Sequence, residues 1–431
     1  NRFLTFDRIL APKSKYAALG SLENFFEKPS FEYQHILRFM DLLAENYDSY
    51  LSHLYNNSEK IVKRNTSICY YDCTNYYFEI ETEDPDIVDE VTGEVFKGFR
   101  KYGVSKEHRP NPLIQMGLFM DKDGIPLSMG LFPGNNNEQN TVNELEGKLI
   151  KDLNNKKIIY CADAGLGSLD NRVLNSMGGR AFVVTQSIKK LSDEIKENVF
   201  SDKYYRLLST GEPYTIQKMK DFDKNDKANF NLYSDLIYKV IEVDSPVDLG
   251  LYKTKTCKNG KTKNVKSKPV LKQRLVITFS RKSYEYHKKI RERQVERAEN
   301  ILLSNRVEKV KKGPNDVTRF IKNVVDADYV LDDEKISEEE KYDGFYAIAT
   351  NIDFSNEGTV DDVLKNENEF VKDIISISSQ RYKIEDCFRT LKTNFDARPV
   401  YHRLENRIIA HFMICYTALL IYRLLVLYNK S

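Results

Sequence analysis

Between Ser67 and Thr185 the apolar residues change their period twice, and that order limits the folds open to the chain. Runs rich in aromatic and β-branched residues come first. These are S-I-C-Y-Y-D ending at Asp72, N-Y-Y-F-E-I-E at 75–81, P-L-I-Q-M-G-L-F-M at 112–120 and I-P-L-S-M-G-L-F at 125–132. The last two flank D-K-D-G at 121–124, so the group reads as a β-meander. A helical segment at 137–153 follows, then K-K-I-I-Y-C-A-D at 156–163, a continuous apolar run of the kind a central strand buried on both faces shows. It stops at an acid, Asp163. A helix near 168–177 and A-F-V-V-T at 181–185 complete a β-α-β alternation, and the expected core is mixed α/β.

The flanks divide the rest. Residues 1–65 read as a helical accessory segment with breakers at Pro12 and Pro29, and 66–190 as the first part of the core. Over 191–341 the periodicity weakens to strands around 214–216, 236–243 and 275–279 and a charged helical run at 284–303, which reads as a β-rich insertion. The core resumes over 342–431 with the buried strand G-F-Y-A-I-A-T-N at 344–351, a helix carrying Glu385 and a long terminal helix. That last helix, I-I-A-H-F-M-I-C-Y-T-A-L-L-I-Y-R-L-L-V-L-Y at 408–428, is long enough to span a membrane. His411 and Arg423 interrupt it and no second span exists, so a core helix of a protein without a membrane is expected. The first residue is Asn1 rather than Met, which leaves room for a missing N-terminal portion, and no secretory signal is expected at the start.

A length of 431 residues suits two or three structural units, and 41% hydrophobic with 30% charged residues excludes a disordered class. The net charge of +2 signals no polyanion partner by itself. Residues 251–320, however, hold 21 Lys and Arg against 6 Asp and Glu, about +15 net, which serves either a solvated charged face or a nucleic-acid surface. The six cysteines are scattered without C-x-x-C spacing, which argues against a zinc ribbon or disulfide framework and fits a reducing cytoplasm.

The segment R-Y-K-I-E-D-C-F-R-T-L-K at 381–392 separates at helical spacing into two faces. Ile384, Phe388, Leu391 and Phe395 form an apolar seam. Arg381, Glu385, Arg389 and Lys392 form a charged stripe, one carboxylate among three cations. Alone, the stripe reads more simply as an exposed ladder of pairs worth about 0.3 kcal/mol each. Asp72 and Asp163 alter that reading. Strand-end carboxylates on adjacent central strands can converge, and a third acid from a helix packed on the sheet completes the all-oxygen set that Mg²⁺ prefers. Two such ions suit phosphodiester chemistry.

Four segments then carry a resemblance: Y-Y-D-C-T-N-Y-Y-F-E around Asp72, C-A-D-A-G-L-G-S around Asp163, D-G-F-Y-A-I-A-T-N at 343–351 and R-Y-K-I-E-D-C-F-R-T-L-K-T-N-F-D-A-R-P-V-Y at 381–401. Together, over about 66–425, they resemble the DDE transposases of bacterial insertion sequences, in the cut-and-paste group with a β-rich insertion before the Glu. The resemblance implies an RNase H-like core in which Asp72, Asp163 and Glu385 bind two Mg²⁺ ions, with Mn²⁺ as a substitute. Arg381 and Lys392 are expected at phosphates beside the scissile bond, with Arg389, Arg398 and Arg403 as further phosphate contacts. The implied partners are the element's terminal inverted repeats and target DNA, held by a homodimer on paired ends in the bacterial cytoplasm at the nucleoid. The register favours Glu385 over Asp386, because Glu385 lies four after Arg381 and seven before Lys392. The family's helix Tyr has no counterpart: its offset falls on Ser378, and Tyr382 lies elsewhere on the helix. Lys106, His108 and Arg109 in S-K-E-H-R-P also resemble a family segment and are expected to be structural or to touch the DNA backbone. The rival readings are an inactive DNA-binding relative, a metal-dependent nuclease that does not join strands, and a plain α/β protein.

Overall fold

The computed structural model describes residues 1–431 apart from 28–29, 154–156, 249–251, 257–261, 267–268, 305–309, 311–312, 314–315, 326–327, 356, 358 and 430–431. The principal elements in chain order are α1 (Arg2–Leu10), α2 (Tyr33–Glu45), α3 (Tyr47–Ile61), β1 (Ile68–Tyr77), β2 (Leu113–Met120), β3 (Pro126–Pro133), α4 (Glu138–Leu153), β4 (Ile159–Ala162), α5 (Leu169–Leu174) and β5 (Ala181–Thr185). They continue with β6 (Arg206–Leu207), β7 (Ile237–Pro246), β8 (Val270–Phe279), α6 (Arg281–Leu303), β9 (Phe345–Thr350), α7 (Val360–Ser379), α8 (Tyr382–Arg389) and α9 (Glu405–Tyr428). Packing divides the chain into two units, one of 1–184, 247–271 and 376–431, the other of 185–246 and 272–375.

The first unit is built on strands ordered β3-β2-β1-β4-β5. Neighbours β3, β2 and β1 are antiparallel, as the D-K-D-G turn requires, while β1, β4 and β5 run parallel through the α4 and α5 crossovers. This is the mixed-sheet order of an RNase H-like core. β2 is buried at every residue, and α9 runs beneath the sheet with 408 and 410–420 buried, which is why an all-round apolar helix suits this place. The N-terminal helices α1 and α2 pack on α9, where Arg407 Nε donates to Asp41 Oδ1 at 3.1 Å.

One expectation is corrected here. The runs at 67–72 and 75–81 are not two strands of a meander: β1 is a single ten-residue strand, and Asp72 lies at its middle rather than its end. Thr74 and Asn75, between the two runs, are buried, and Asn75 is satisfied from a distance. Asn75 Nδ2 donates to Val104 O at 2.9 Å, and Asn75 Oδ1 accepts from Lys106 N at 3.4 Å.

Close approach fixes the far end of the hairpin. A methyl group added at Gly134 would collide with the carbonyl oxygens of Leu113 and Lys101, so only glycine fits there. Gly134→Ala is expected to cost about 1–3 kcal/mol, read as a lower midpoint in thermal melts; an unchanged midpoint would show that the strand end relaxes freely.

In the second unit the strands run β9-β8-β7-β6, with β8 and β9 antiparallel from Arg274↔Thr350 to Phe279↔Phe345. The charged run forms α6 as expected, capped by Ser280 Oγ accepting from Ser283 N at 3.2 Å. The strand expected at 214–216 is instead a helix start: Thr215 Oγ1 caps residues Ile216–Asp221 by accepting from Lys218 N at 3.1 Å. Of the Lys-rich loop at 253–268, two paired strands, Tyr252–Thr256 and Thr262–Lys266, are described, and 257–261 and 267–268 lie outside the described residues.

Candidate active site

The parallel register of β1 and β4 determines which acids meet. Ile68 pairs with Ile159 and Tyr70 with Cys161, so the same offset sets Asp72 level with Asp163 just where β4 ends. Neighbouring strands stand about 4.8 Å apart, which puts the two carboxylates side by side at the strand's mouth. Asp72 is the more enclosed. Burial pushes its carboxyl up to about 6, Lys106 opposes that, and the charges of Asp163 and Glu138 add to the rise. Its Oδ1 accepts from Cys73 N at 2.8 Å.

Asp163 is exposed, and Arg381 Nη1 donates to its Oδ1 at 2.7 Å. Arg381 is positioned by the break between α7 and α8, where its Nε donates to Ser378 O at 3.3 Å. Ser378, where the resembling family has a tyrosine, is 6% exposed. Glu385 lies in the first turn of α8, one turn beyond Arg381, exposed and without a hydrogen bond or ion pair to a described residue. Its neighbour Asp386 is occupied: Oδ2 accepts from Arg423 Nη1 at 3.0 Å and Oδ1 from Arg389. Ile384, Cys387 and Phe388 are the buried seam that seats α8 against β1. The structure thus brings Asp72, Asp163 and Arg381 together and does not add Glu385 to them. Among the described residues no three His, Cys, Asp or Glu side chains are placed to hold one metal ion.

The charged stripe is not continuous. After Arg389 the α-helix gives way to a π turn over Thr390–Asn394, closed by Phe395 N donating to Thr390 O at 3.0 Å. The wider turn breaks the three- and four-residue periodicity that aligned Lys392 with Glu385. Lys392 instead donates to Glu107 Oε1 at 3.1 Å, lies 5.3 Å from the Tyr76 ring centre, and has a side chain only 13% exposed. Arg398 pairs with the other oxygen of Glu107 and lies over Tyr77, as does Arg109. Arg389 pairs with Asp386 on the surface with its side chain 74% exposed, and Arg403 is exposed too.

Glu138 and Glu107 carry no signal of their own in the sequence, while Lys106 is marked by the segment S-K-E-H-R-P. Lys106 Nζ donates to Cys73 O and lies 3.2 Å from Glu138 Oε1, so S-K-E-H-R-P is a wall of the acid site. Glu138, in the first turn of α4, is an acid close enough to act on Asp72, and Glu107 is the anchor of two cations. Only the register and loop paths place them.

Asp72 and Asp163 fit a hard divalent cation. Two like charges held level, one of them largely desolvated, form an oxygen-donor pair that a dication would neutralise. Glu385 fits by donor type and by its lack of a competing partner.

Residues 87–421 match the family model described as transposase DDE domain. Two transposase structures are among those similar in fold. One is a piggyBac transposase synaptic complex with hairpin DNA, at 9% identity and a TM-score of 0.36, covering 99% of this chain and 74% of that one. The other is the Mos1 mariner paired end complex with Mn, at 12% identity and a TM-score of 0.18, covering 39% of this chain and 50% of that one. At these scores neither likeness bears on the details of the site. No curated protein matches the chain.

Proposed function

Because this chain belongs to the transposase DDE domain family, we propose that it binds the terminal inverted repeats of an insertion sequence, cleaves at the element ends and joins the freed 3′-hydroxyls to target DNA. The observation that carries this reading is the β1–β4 register that sets Asp72 beside Asp163, with Arg381 on the second acid.

In this reading Asp72, Asp163 and Glu385 hold two Mg²⁺ ions, or Mn²⁺ in their place. When bound, the pair supplies activation of a water or 3′-hydroxyl and neutralises charge on the leaving oxygen. Asp72 is the fixed member, because the middle of a central strand cannot shift without moving its neighbours. Glu385 is the adjustable one, because nothing ties its side chain. Arg381 exchanges the Asp163 carboxylate for a phosphate oxygen, a ligand of the same charge and geometry for a guanidinium. Arg389 offers the DNA backbone an exposed cation in competition with Asp386. Lys392 and Arg398 reach a phosphate in competition with Glu107, so they position rather than read sequence. The chain acts as a homodimer on paired ends, in the cytoplasm at the nucleoid.

The test uses duplexes carrying the repeats that flank the reading frame, incubated with the full chain and Mg²⁺, Mn²⁺ or EDTA. Nicks and joined products with either metal, and neither with EDTA, are expected. Nicks without joining would make the protein a nuclease. Binding without any product under every metal condition would make it an inactive relative.

A further inference from the structure

A second basic cavity, whose lining includes none of Asp72, Asp163 and Glu385, lies within the same unit. The segment after α1 and the loop before α9 enclose a cavity of about 690 Å³, lined among others by Arg8, Lys13, Lys15, Tyr33, Arg398 and His402. Its cations outnumber the acids that reach them. Among the described residues Asp396 is the one carboxylate lining it; Asp7 lies 3.7 Å from Lys13 and acts on Lys15 through charge without a hydrogen bond, and Arg398 is held by Glu107.

Lys15 is the decisive residue. It is 4% exposed, yet its ammonium has no hydrogen bond or ion pair to a described residue. Burial and the nearby Arg8 pull it down to about 7. A buried ammonium without a hydrogen-bonded partner is costly and escapes the cost by losing its proton, so an anionic ligand that supplies the partner holds Lys15 in its charged form. Arg8 cannot be released to balance anything: Nη1 donates to Phe395 O at 2.9 Å and Nη2 to Lys13 O at 3.1 Å, while its buried Nε has no partner. The positive field also acts on the histidines. Burial with Lys15 and Arg8 holds His402 down at about 4 and His411 well below its usual range, so both stay neutral and add no positive charge to the cavity. At the mouth, the exposed rings of Tyr16 and Tyr401 offer flat apolar surface.

We propose that this cavity binds the phosphate group of a nucleotide, with Lys15 as its buried ion-pair partner and the mouth tyrosines against the sugar and base. The phosphate comes either from a DNA strand end or from a free mononucleotide, and the site is independent of Asp72, Asp163 and Glu385. A wholly exposed lysine cluster would attract phosphate weakly and without saturation; a desolvated ammonium binds it at one site.

Thermal melts of the full chain test this with sodium phosphate against sodium chloride at equal ionic strength. The wild type is expected to show a saturable rise in midpoint with phosphate only. Lys15→Met is expected to lose that rise while melting no lower than the wild type in chloride, since it deletes an unpaired buried charge. Equal phosphate-dependent rises in both proteins, or equal effects of phosphate and chloride on the wild type, would overturn the site. Should Lys15→Met not fold, calorimetric titration of inorganic phosphate into Lys15→Gln and wild type gives the same comparison, with binding about tenfold weaker expected in the variant and equal binding overturning the site. The source is separated by competition. A duplex with a 5′-phosphate outcompeting the same duplex with a 5′-hydroxyl, an advantage lost in the variant, assigns a DNA end. Displacement by dAMP with no difference between the duplexes assigns a free nucleotide. Cleavage is not read in any arm, so failure here and failure of the transposition reading remain separable.

Discussion

Asp72→Asn, Asp163→Asn and Glu385→Gln are each expected to lower metal-dependent cleavage of end-bearing DNA by at least ~10²-fold, because even partners that only orient metal ligands cost about 10–100-fold when removed. The three differ in their effects on the unliganded fold. Asp72 is a carboxylate that burial and its neighbour Asp163 both disfavour, so the neutral amide holds the β1 position with equal or greater stability. Asp163→Asn gives up the pair with Arg381, which at an exposed acid is worth about 0–1 kcal/mol. Glu385→Gln changes a side chain that touches no described partner and leaves the melt unchanged. Lost cleavage with an intact or raised melting midpoint is the signature of chemistry rather than folding. Asp386→Asn is the control: that acid serves Arg389 and Arg423, so its variant retains cleavage. If all three acid variants cut DNA at the wild-type rate, the site is elsewhere. If Asp386→Asn is the inactive one, the helix register assigned here is wrong.

The legible and the hidden parts of this site differ in the range of the interactions that make them. Asp163 could be read because a buried strand announces itself by continuous apolar residues and the acid interrupts it. α9 could be read for the same reason. Asp72 was legible as a residue but not as a place. Thr74 and Asn75 look like a strand's end, and it takes the distant Val104 carbonyl to satisfy Asn75 within one. The stripe from Arg381 to Lys392 was drawn on an ideal helix, and a π turn is a local choice that apolar spacing does not encode. The short helix at Ile216–Asp221 looks like a strand because Thr and Ile favour strands, yet Thr215 also makes a sound N-cap. Glu107, Glu138 and Lys15 stayed hidden because each acquires its role from residues far along the chain. A-P-K-S-K-Y gives no sign that its second lysine is interior.

Breaking the pair between Arg64 and Asp121 is expected to produce the largest loss of stability from a single side chain. Both side chains are 0% exposed, with Arg64 Nε donating to Asp121 Oδ2 at 2.7 Å. The pair fastens three segments. Arg64 Nη1 donates to Ser58 Oγ at 2.6 Å on α3, and Nη2 donates to Ile125 O at 3.0 Å and Pro126 O at 2.8 Å. Asp121 Oδ1 accepts from Ile125 N at 2.8 Å and Asp123 N at 3.1 Å, which holds the turn between β2 and β3. Burial raises the Asp121 carboxyl despite the guanidinium beside it, so desolvation outweighs attraction at this site. The consequence is asymmetric. Asp121→Ala or Arg64→Ala strands the remaining charge and costs about 3–5 kcal/mol, a fall in melting midpoint of roughly 6–15 °C for a unit of this size. Replacing both, as Arg64→Met with Asp121→Leu, costs less than either single change because no charge is left inside, although the turn still loses its two amide acceptors. Single variants within 1 kcal/mol of wild type in denaturant titrations would show that water reaches the site. The same proteins also separate folding from catalysis: below their lowered midpoints, where β1 is still in register with β4, the Arg64 and Asp121 variants are expected to cleave DNA, whereas Asp72→Asn stays at least ~10²-fold impaired at every temperature.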